Sequence, residues 1–167
     1  TIDLIKKNTN VKIQILFYIL PHLKKYFHKF KFNFSYSLIK QSEKFKAFQI
    51  SNVAVSTSGT VAIELSYLNI PTIVIYKLNM ISYLIAKIFV RIKYANLLNI
   101  LAKKYIIPEF LQYKCKPELI YNELSKLLND NIYSNNQIKN SKKSLLKLKF
   151  NNKLPSVNAV NEIINEI

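Results

Sequence analysis

The sequence predicts an α/β fold, a doubly wound parallel sheet formed by one domain over residues 1–167. The central observation is a β-α-β pattern, with a strand at 53–56, a glycine turn, a helix at 60–68 and a strand at 72–76. Such short connections join buried parallel strands through a right-handed crossover. Two further observations agree. Strand-like and helical segments alternate along the chain, and hydrophobic residues make up 50% of it, enough to bury a core.

Ahead of this unit, residues 11–30 are mostly apolar and admit two interpretations. Leucine and phenylalanine at spacings of three and four indicate a helix that is kinked, or divided in two, at Pro21. The nearly continuous β-branched and aromatic run Val11–Leu20 favours a strand instead. Next, aromatic and polar residues alternate over 32–36, which predicts a strand. The lysine-rich stretch 39–50 predicts a helix.

Beyond the unit, apolar spacing over 81–92 predicts a helix that lies either in the core or on a lipid surface. Residues 108–112 are expected to open a short helix. Pro117 begins a clearer helix, with proline at the first position and an acidic residue in the first turn. The segment 129–153 is rich in Asn, Lys and Ser, so we expect it to be partly mobile. A last helix is predicted after Pro155.

The net charge of +16 raises the question of an anionic partner. Arg91 is the only arginine among the 25 basic residues, and arginine is the residue that reads guanine edges and clamps phosphates. The composition therefore argues against a nucleic-acid partner. Solvated lysine faces explain the charge, and an anionic membrane surface is the open alternative, since each lysine near such a surface adds about 1 kcal/mol of attraction.

The remaining composition excludes several kinds of site. Cys115 is the single cysteine, so no disulfide framework exists and a reducing compartment is expected. His22 and His28 have no further ligand at a metal-binding spacing, and we expect no metal site. No signal peptide is recognised, and no apolar stretch reaches the length of about 18 residues that a membrane-spanning helix needs.

Gly59 is the only glycine of the chain, and it lies where the strand must turn tightly into the helix. A turn of this kind presents free backbone N–H groups and the positive end of the helix dipole, which together bind anions. The sequence therefore predicts an anion site at Ser58-Gly59-Thr60, outside the carboxyl ends of the strands. A tight turn without any ligand is the alternative interpretation.

Two motifs carry a resemblance to a known family. Ser58, Gly59, Thr60 and Glu64 match a Ser-Gly-Thr-x-x-x-Glu pattern that follows a buried strand. Asn99-Ile100-Leu101-Ala102 and then 106–112 match a second segment. Together these motifs resemble the C-terminal half of lipid-A-disaccharide synthase, over most of residues 13–128. The resemblance implies a Rossmann-like, nucleotide-sugar-binding C-terminal domain of a GT-B glycosyltransferase, without the N-terminal acceptor domain.

For the family, the implied activity is transfer of 2,3-diacylglucosamine from its UDP form to 2,3-diacylglucosamine 1-phosphate, which gives the lipid A disaccharide and UDP. No metal or organic cofactor is implied. The implied partners are UDP-2,3-diacylglucosamine, the lipid acceptor and the membrane, since such enzymes are peripheral proteins at the cytoplasmic face of the inner membrane. A homodimer is also plausible by resemblance.

The resemblance also implies roles for individual residues. The hydroxyls of Ser58 and Thr60 and the backbone amides of Gly59 and Thr60 would bind the diphosphate. Glu64 would accept hydrogen bonds from the ribose hydroxyls, and Asn99 would contact the nucleotide or sugar phosphates. The alternatives are a carboxylate that interacts with the first helical turn for Glu64 and a loop-capping amide for Asn99.

The chain also departs from the family pattern. Lys103 replaces a glycine, which puts the geometry of that loop in doubt. A Gly-Ser-Arg loop, expected ahead of Pro21, is not found. The aspartate expected to act as general base belongs to the N-terminal half of the family, so no catalytic residue is assigned in this chain. A catalytically inactive remnant, or a basic domain that binds membranes, is therefore the alternative function.

Overall fold

The computed structural model describes residues 1–8, 12–57, 59–79, 93–148, 160 and 163–164. Its strands are β1 Leu16–Tyr18, β2 Ser37–Ile39, β3 Ala54–Ser56, β4 Thr72–Tyr76 and β5 Glu109–Leu111. Its helices are α1 Ile2–Asn8, α2 Lys24–Phe27, α3 Lys44–Gln49, α4 Thr60–Tyr67, α5 Leu97–Ala102, α6 Pro117–Asn129 and α7 Asn131–Leu146. Short 3-10 turns occupy Pro21–Leu23, Gln41–Glu43 and Gln112–Lys114.

All strand pairs in the described residues are parallel. β3, β4 and β5 form a three-stranded sheet in that order, while β1 and β2 form a separate pair. Ser56 pairs with Val74, and Val74 pairs with Glu109, so these three residues form one row across the sheet. Side chains in such a row point to the same face. The predicted β-α-β unit and the parallel α/β fold are confirmed.

β4 is the central strand and is covered on both faces. Val74 packs with Ala62 of α4 and Leu98 of α5 in one buried cluster. Its neighbour Ile73 points the opposite way and packs against Ile120, Leu124 and Leu127 of α6. Helices on both faces of a parallel sheet are the doubly wound arrangement that the sequence predicts.

The ends of α4 follow from its flanking residues. Gly59 precedes the first residue of the helix, and Asn69 takes a positive φ of 64° just after its last turn. Asparagine tolerates this left-handed conformation better than most residues. Pro71 then cannot continue a helix and leads directly into β4. The predicted bounds of this helix and of the strand after it are confirmed to within a residue.

The structure decides between the two interpretations of 11–30. Residues 16–18 form the strand β1, so the helical interpretation of this part is wrong and the strand is confirmed. Strand pairing with β2 explains this, because periodicity within one segment carries no information about a distant partner. The second strand is also displaced. Residues 32–36 were predicted to form it, but β2 begins at Ser37.

Further along the chain, two expectations differ from the structure. Residues 109–111 form the strand β5 rather than a short helix, because they pair with β4. Residues 131–146 form the 16-residue helix α7, which the composition of 129–153 did not predict. That this segment is partly mobile stays a prediction. The helix predicted at 81–92 lies outside the described residues, and so does most of the last predicted helix.

Candidate functional site

The candidate site lies at the carboxyl edge of the three-stranded sheet, where the segments that follow the parallel strands β3, β4 and β5 begin. Gln112 fixes two of these segments. Its side-chain oxygen accepts a hydrogen bond from the amide of Leu78 at 2.8 Å, and its Nε2 donates to the carbonyl of Leu78 at 3.2 Å. The residue after β5 thus holds the segment after β4. Ligands of doubly wound sheets bind at this edge.

Gly59 has a backbone conformation that requires glycine. Its φ is 134° and its ψ is −156°, a region that residues with a side chain almost never occupy. Gly59 and Thr60 are exposed, and a Cβ added at Gly59 would meet no atom within 4 Å. The space beside the turn is therefore open, and the glycine is needed for its φ rather than for a close packing contact.

α4 begins at Thr60, directly after the exposed Gly59. The first N–H groups of any α-helix lack an intrahelical acceptor, and they carry the positive end of the dipole. Within the described part of the chain, no backbone carbonyl accepts from the amides of Gly59 or Thr60. Ser58, the third predicted member of the anion site, lies outside the described residues.

Glu64 lies one turn into α4 and pairs with Lys44 of α3. Its Oε2 is 2.5 Å from the Lys44 Nζ, and the side chains are 29% and 14% exposed, respectively. Oε2 itself is buried and makes no aligned hydrogen bond with the described residues, so the contact with Lys44 is mainly electrostatic. Glu64 and Thr60 are four residues apart and therefore share one face of the helix.

Asn99 is fully buried and fully bonded, in contrast to Gly59. Its Nδ2 donates to the carbonyl of Ile107 at 2.8 Å and to Glu109 at 2.7 Å. Its Oδ1 accepts from the amides of Ile106 and Ile107, both at 2.9 Å. These two donated and two accepted hydrogen bonds use the full hydrogen-bonding capacity of the amide side chain. That Asn99 contacts phosphate stays a prediction, and in this structure the residue caps the loop that leads to β5.

Glu109 is a member of this network that the sequence did not single out as a site residue. It is 8% exposed. Its carboxylate accepts from the amides of Ala95 and Asn96, both at 2.8 Å, as well as from Asn99. These amides precede α5, where the helix dipole favours a negative charge. Asn99 and Glu109 belong to the second motif, so the network explains the spacing between its two parts.

Tyr105 completes the network from the loop. Its hydroxyl accepts from the amide of Glu109 at 2.8 Å. Burial raises the pKa of the Tyr105 hydroxyl above its ordinary value, and the nearby Glu109 carboxylate adds to the rise. The hydroxyl therefore stays protonated at neutral pH. Tyr105 also lines, with Lys93, Gln112 and Lys114, an open cleft of about 280 Å³ at the end of β5.

Ser56 is another residue that sequence reasoning missed. It is the last residue of β3 and is 6% exposed, and its hydroxyl has no partner among the described residues. The Nδ2 of Asn96, which is fully buried, also lacks a partner there. Buried polar groups without a partner are rare in proteins, and bound water or ligand supplies one. A small polar residue at the end of a strand gave no sequence signal.

Lys103 adopts the conformation that glycine would favour at the end of α5. Its φ is 54° and its ψ is 27°, in the left-handed region. The amide of Lys103 donates to Ile100 and the amide of Lys104 to Asn99, so the helix end is closed in an ordinary way. The doubt that the Lys103 departure raised about this loop is therefore answered for the backbone, which tolerates lysine here.

The described residues contain neither a candidate metal centre nor a candidate membrane span. No three side chains of the metal-binding types come together in that part of the chain. None of its helices combines the length and apolar character needed to cross a bilayer.

Comparisons with known proteins give one consistent answer. The family model described as Lipid-A-disaccharide synthetase matches residues 1–163. A lipid-A-disaccharide synthase of Rickettsia prowazekii is 41% identical over 135 residues, which are 80% of this chain and 35% of that protein. Its counterpart in Rickettsia canadensis is 40% identical over 145 residues, 86% of this chain and 36% of the relative. The chain thus spans about a third of the length of these curated relatives.

Proposed function

Because this chain belongs to the lipid-A-disaccharide synthase family, we propose that it forms the UDP-sugar-binding part of a glycosyltransferase of lipid A biosynthesis. The donor would be UDP-2,3-diacylglucosamine and the acceptor 2,3-diacylglucosamine 1-phosphate. The products would be the lipid A disaccharide and UDP. We propose that residues 1–167 act as one nucleotide-sugar-binding domain. An acceptor-binding N-terminal half, as the family has, would contribute the general base.

The turn at Gly59 is the single observation that carries this proposal. The leaving group is a nucleoside diphosphate, so negative charge develops on the β-phosphate as the glycosidic bond breaks. The amides of Gly59 and Thr60 and the hydroxyls of Thr60 and Ser58 would donate hydrogen bonds to this charge. The dipole of α4 would add to the stabilisation without a metal ion.

The other site residues have separate roles in the proposal. Glu64 would accept hydrogen bonds from the ribose hydroxyls, since its side chain leans toward the start of α4, where the diphosphate would lie. Asn99 would act mainly by positioning its neighbours, because its side chain makes hydrogen bonds to Glu109 and to the loop at 106–107. None of these residues is assigned as a general base.

We also propose that the protein is peripheral on the cytoplasmic face of the inner membrane, that it binds no nucleic acid, and that it forms a homodimer. Its net charge of +16 supports attraction to an anionic surface. Exposed aromatic residues with lysine neighbours add to this support. Phe30 is 65% exposed, and the ammonium groups of Lys25 and Lys29 lie 5.0 and 5.7 Å from the centre of the Tyr26 ring.

Calorimetry with UDP tests the proposed function. The wild-type chain should bind UDP in the micromolar range. Gly59→Ala should weaken binding by about tenfold or more, because alanine at this φ and ψ costs about 1–3 kcal/mol and distorts the turn. Asn69→Ala is the matched control, since it also places alanine at a positive φ, but at the opposite end of α4.

Asn69→Ala should change the UDP affinity less than about twofold, whatever it does to stability. Circular dichroism of both variants shows whether they are folded. A folded wild-type chain that binds no UDP would contradict the proposed function and favour an inactive remnant. Equal losses in the two variants would show that the turn acts only through stability.

A further inference from the structure

Lys44 occupies an unusual position for a lysine. Its side chain is only 14% exposed, and its ammonium lies 5.3 Å from the centre of the Tyr18 ring, 5.1 Å from that of Phe45 and 5.8 Å from that of Phe48. Three ring faces at these distances attract a cation. Lysine is ordinarily a flexible and strongly hydrated residue, so this enclosure restricts where its charge can be.

The elements around Lys44 are themselves fixed by packing. Phe48 of α3 is buried with Leu65 of α4 and Ile70, and Tyr18 of β1 packs against the same cluster. The ammonium is therefore held between a strand and two helices. Its carboxylate partner, Glu64, lies on one of those helices, α4, the helix that begins at the glycine turn.

The two carboxylate oxygens of Glu64 have different surroundings. Oε2 is buried and lies against the Lys44 ammonium. The side chain as a whole is 29% exposed, so its exposed area belongs to atoms other than Oε2. Holding one oxygen of a planar carboxylate fixes the direction of the other. A binding group that is held in place before the ligand arrives loses less entropy on binding.

We propose that Lys44 is a positioning residue for the nucleotide: it holds Oε2 of Glu64 so that Oε1 accepts hydrogen bonds from the ribose hydroxyls of UDP. This inference rests on the proposed function, because it takes the ligand from there. Lys44 itself touches no reacting atom. It would determine how strongly the site prefers a ribonucleotide over a deoxyribonucleotide.

The test compares UDP with 2′-deoxy-UDP by calorimetry on the 167-residue chain. The wild-type chain should bind UDP about tenfold more tightly, as expected for hydrogen bonds to a charged group. Lys44→Met should reduce this ratio to about two or less by weakening UDP and leaving the deoxynucleotide nearly unchanged. Glu64→Gln should reduce the ratio likewise, while Lys44→Arg, which keeps the charge, should retain most of it.

Lys46→Met is the matched control, because Lys46 is exposed on the same helix. It should leave the ratio at the wild-type value. Lys44→Gln provides a second loss of charge, so the result does not depend on the folding of one variant. If a folded Lys44→Met or Lys44→Gln variant keeps the wild-type ratio of the two affinities, this inference is wrong and the proposed function is unaffected. The same holds if the variant loses affinity equally for UDP and 2′-deoxy-UDP. A wild-type chain that binds neither nucleotide overturns the proposed function as well.

Discussion

At the scale of single residues, the chain has glycine at the turn whose backbone demands it and lysine at a second position with a positive φ, Lys103. Gly59 has a φ and ψ that only glycine adopts readily, whereas Lys103 takes a left-handed conformation that is only mildly unfavourable for a side chain. The sequence located Gly59 because it is the single glycine. It could not show that Asn99 is fully bonded, since its partners come from a loop and from β5.

Lys103→Gly tests whether the left-handed backbone at Lys103 has a steric cost. Glycine removes the steric cost of the left-handed conformation, so the free energy of unfolding should rise by about 0.5–1 kcal/mol. Lys104→Gly is the control: Lys104 does not have a positive φ, and glycine there should lower stability by a few tenths of a kcal/mol. Urea unfolding measures both values. Equal destabilisation by the two changes would contradict the explanation.

At the scale of elements, local patterns predicted those segments whose partners lie nearby in sequence. The β-α-β unit was found because its strands, turn and helix all carry their own signals. β5 is the exception, because Pro108-Glu109 is typical of a helix start. Its glutamate instead accepts hydrogen bonds from Ala95 and Asn96, and its strand pairs with β4. Such non-local partners override local propensity.

The helix α7 was missed for a different reason. Its buried face consists of polar residues, namely Ser134, Gln137, Ser141 and Ser144. Their spacing of three and four is helical, but a search for apolar periodicity cannot detect it. Hydrogen bonds to β4 compensate for the burial of the Gln137 side chain. It accepts from the Thr72 amide at 2.7 Å and donates to the Thr72 carbonyl at 3.0 Å.

Gln137→Ala tests whether α7 supports the sheet. The change leaves a buried amide and a buried carbonyl of Thr72 without a partner, so unfolding free energy should fall by about 2–4 kcal/mol. Hydrogen exchange at the Thr72 amide should accelerate with it. Asn136→Ala, at an exposed position of the same helix, should cost less than about 0.5 kcal/mol. A Gln137→Ala variant as stable as this control would show that α7 contributes little to the sheet.

At the scale of the whole molecule, the fold class and family could be predicted because they depend on two motifs and one unit with short connections. The arrangement at the site could not. Both the pairing of Lys44 with Glu64 and the burial of the Ser56 hydroxyl without a partner among the described residues depend on how separate elements pack, which no single segment encodes. The net charge of +16 also acts at this scale, through the field of the whole surface.

Cosedimentation with lipid vesicles tests the role of this charge. The chain should bind vesicles rich in phosphatidylglycerol, and binding should fall steeply as ionic strength rises toward about 0.15 M, where the screening length is about 8 Å. Vesicles of phosphatidylcholine are the control and should bind much less. Equally strong, salt-independent binding to both kinds of vesicle would contradict an electrostatic attraction.

The proposed function depends on a diphosphate that binds at the turn before α4. A sample labelled with ¹⁵N-glycine tests this most directly, because the chain has one glycine and the spectrum should contain one amide signal, that of Gly59. We predict that UDP shifts this signal in a saturable manner, with the dissociation constant that calorimetry gives, and that uridine without phosphates shifts it far less. A Gly59 signal that stays unchanged while UDP binds would contradict the proposed site.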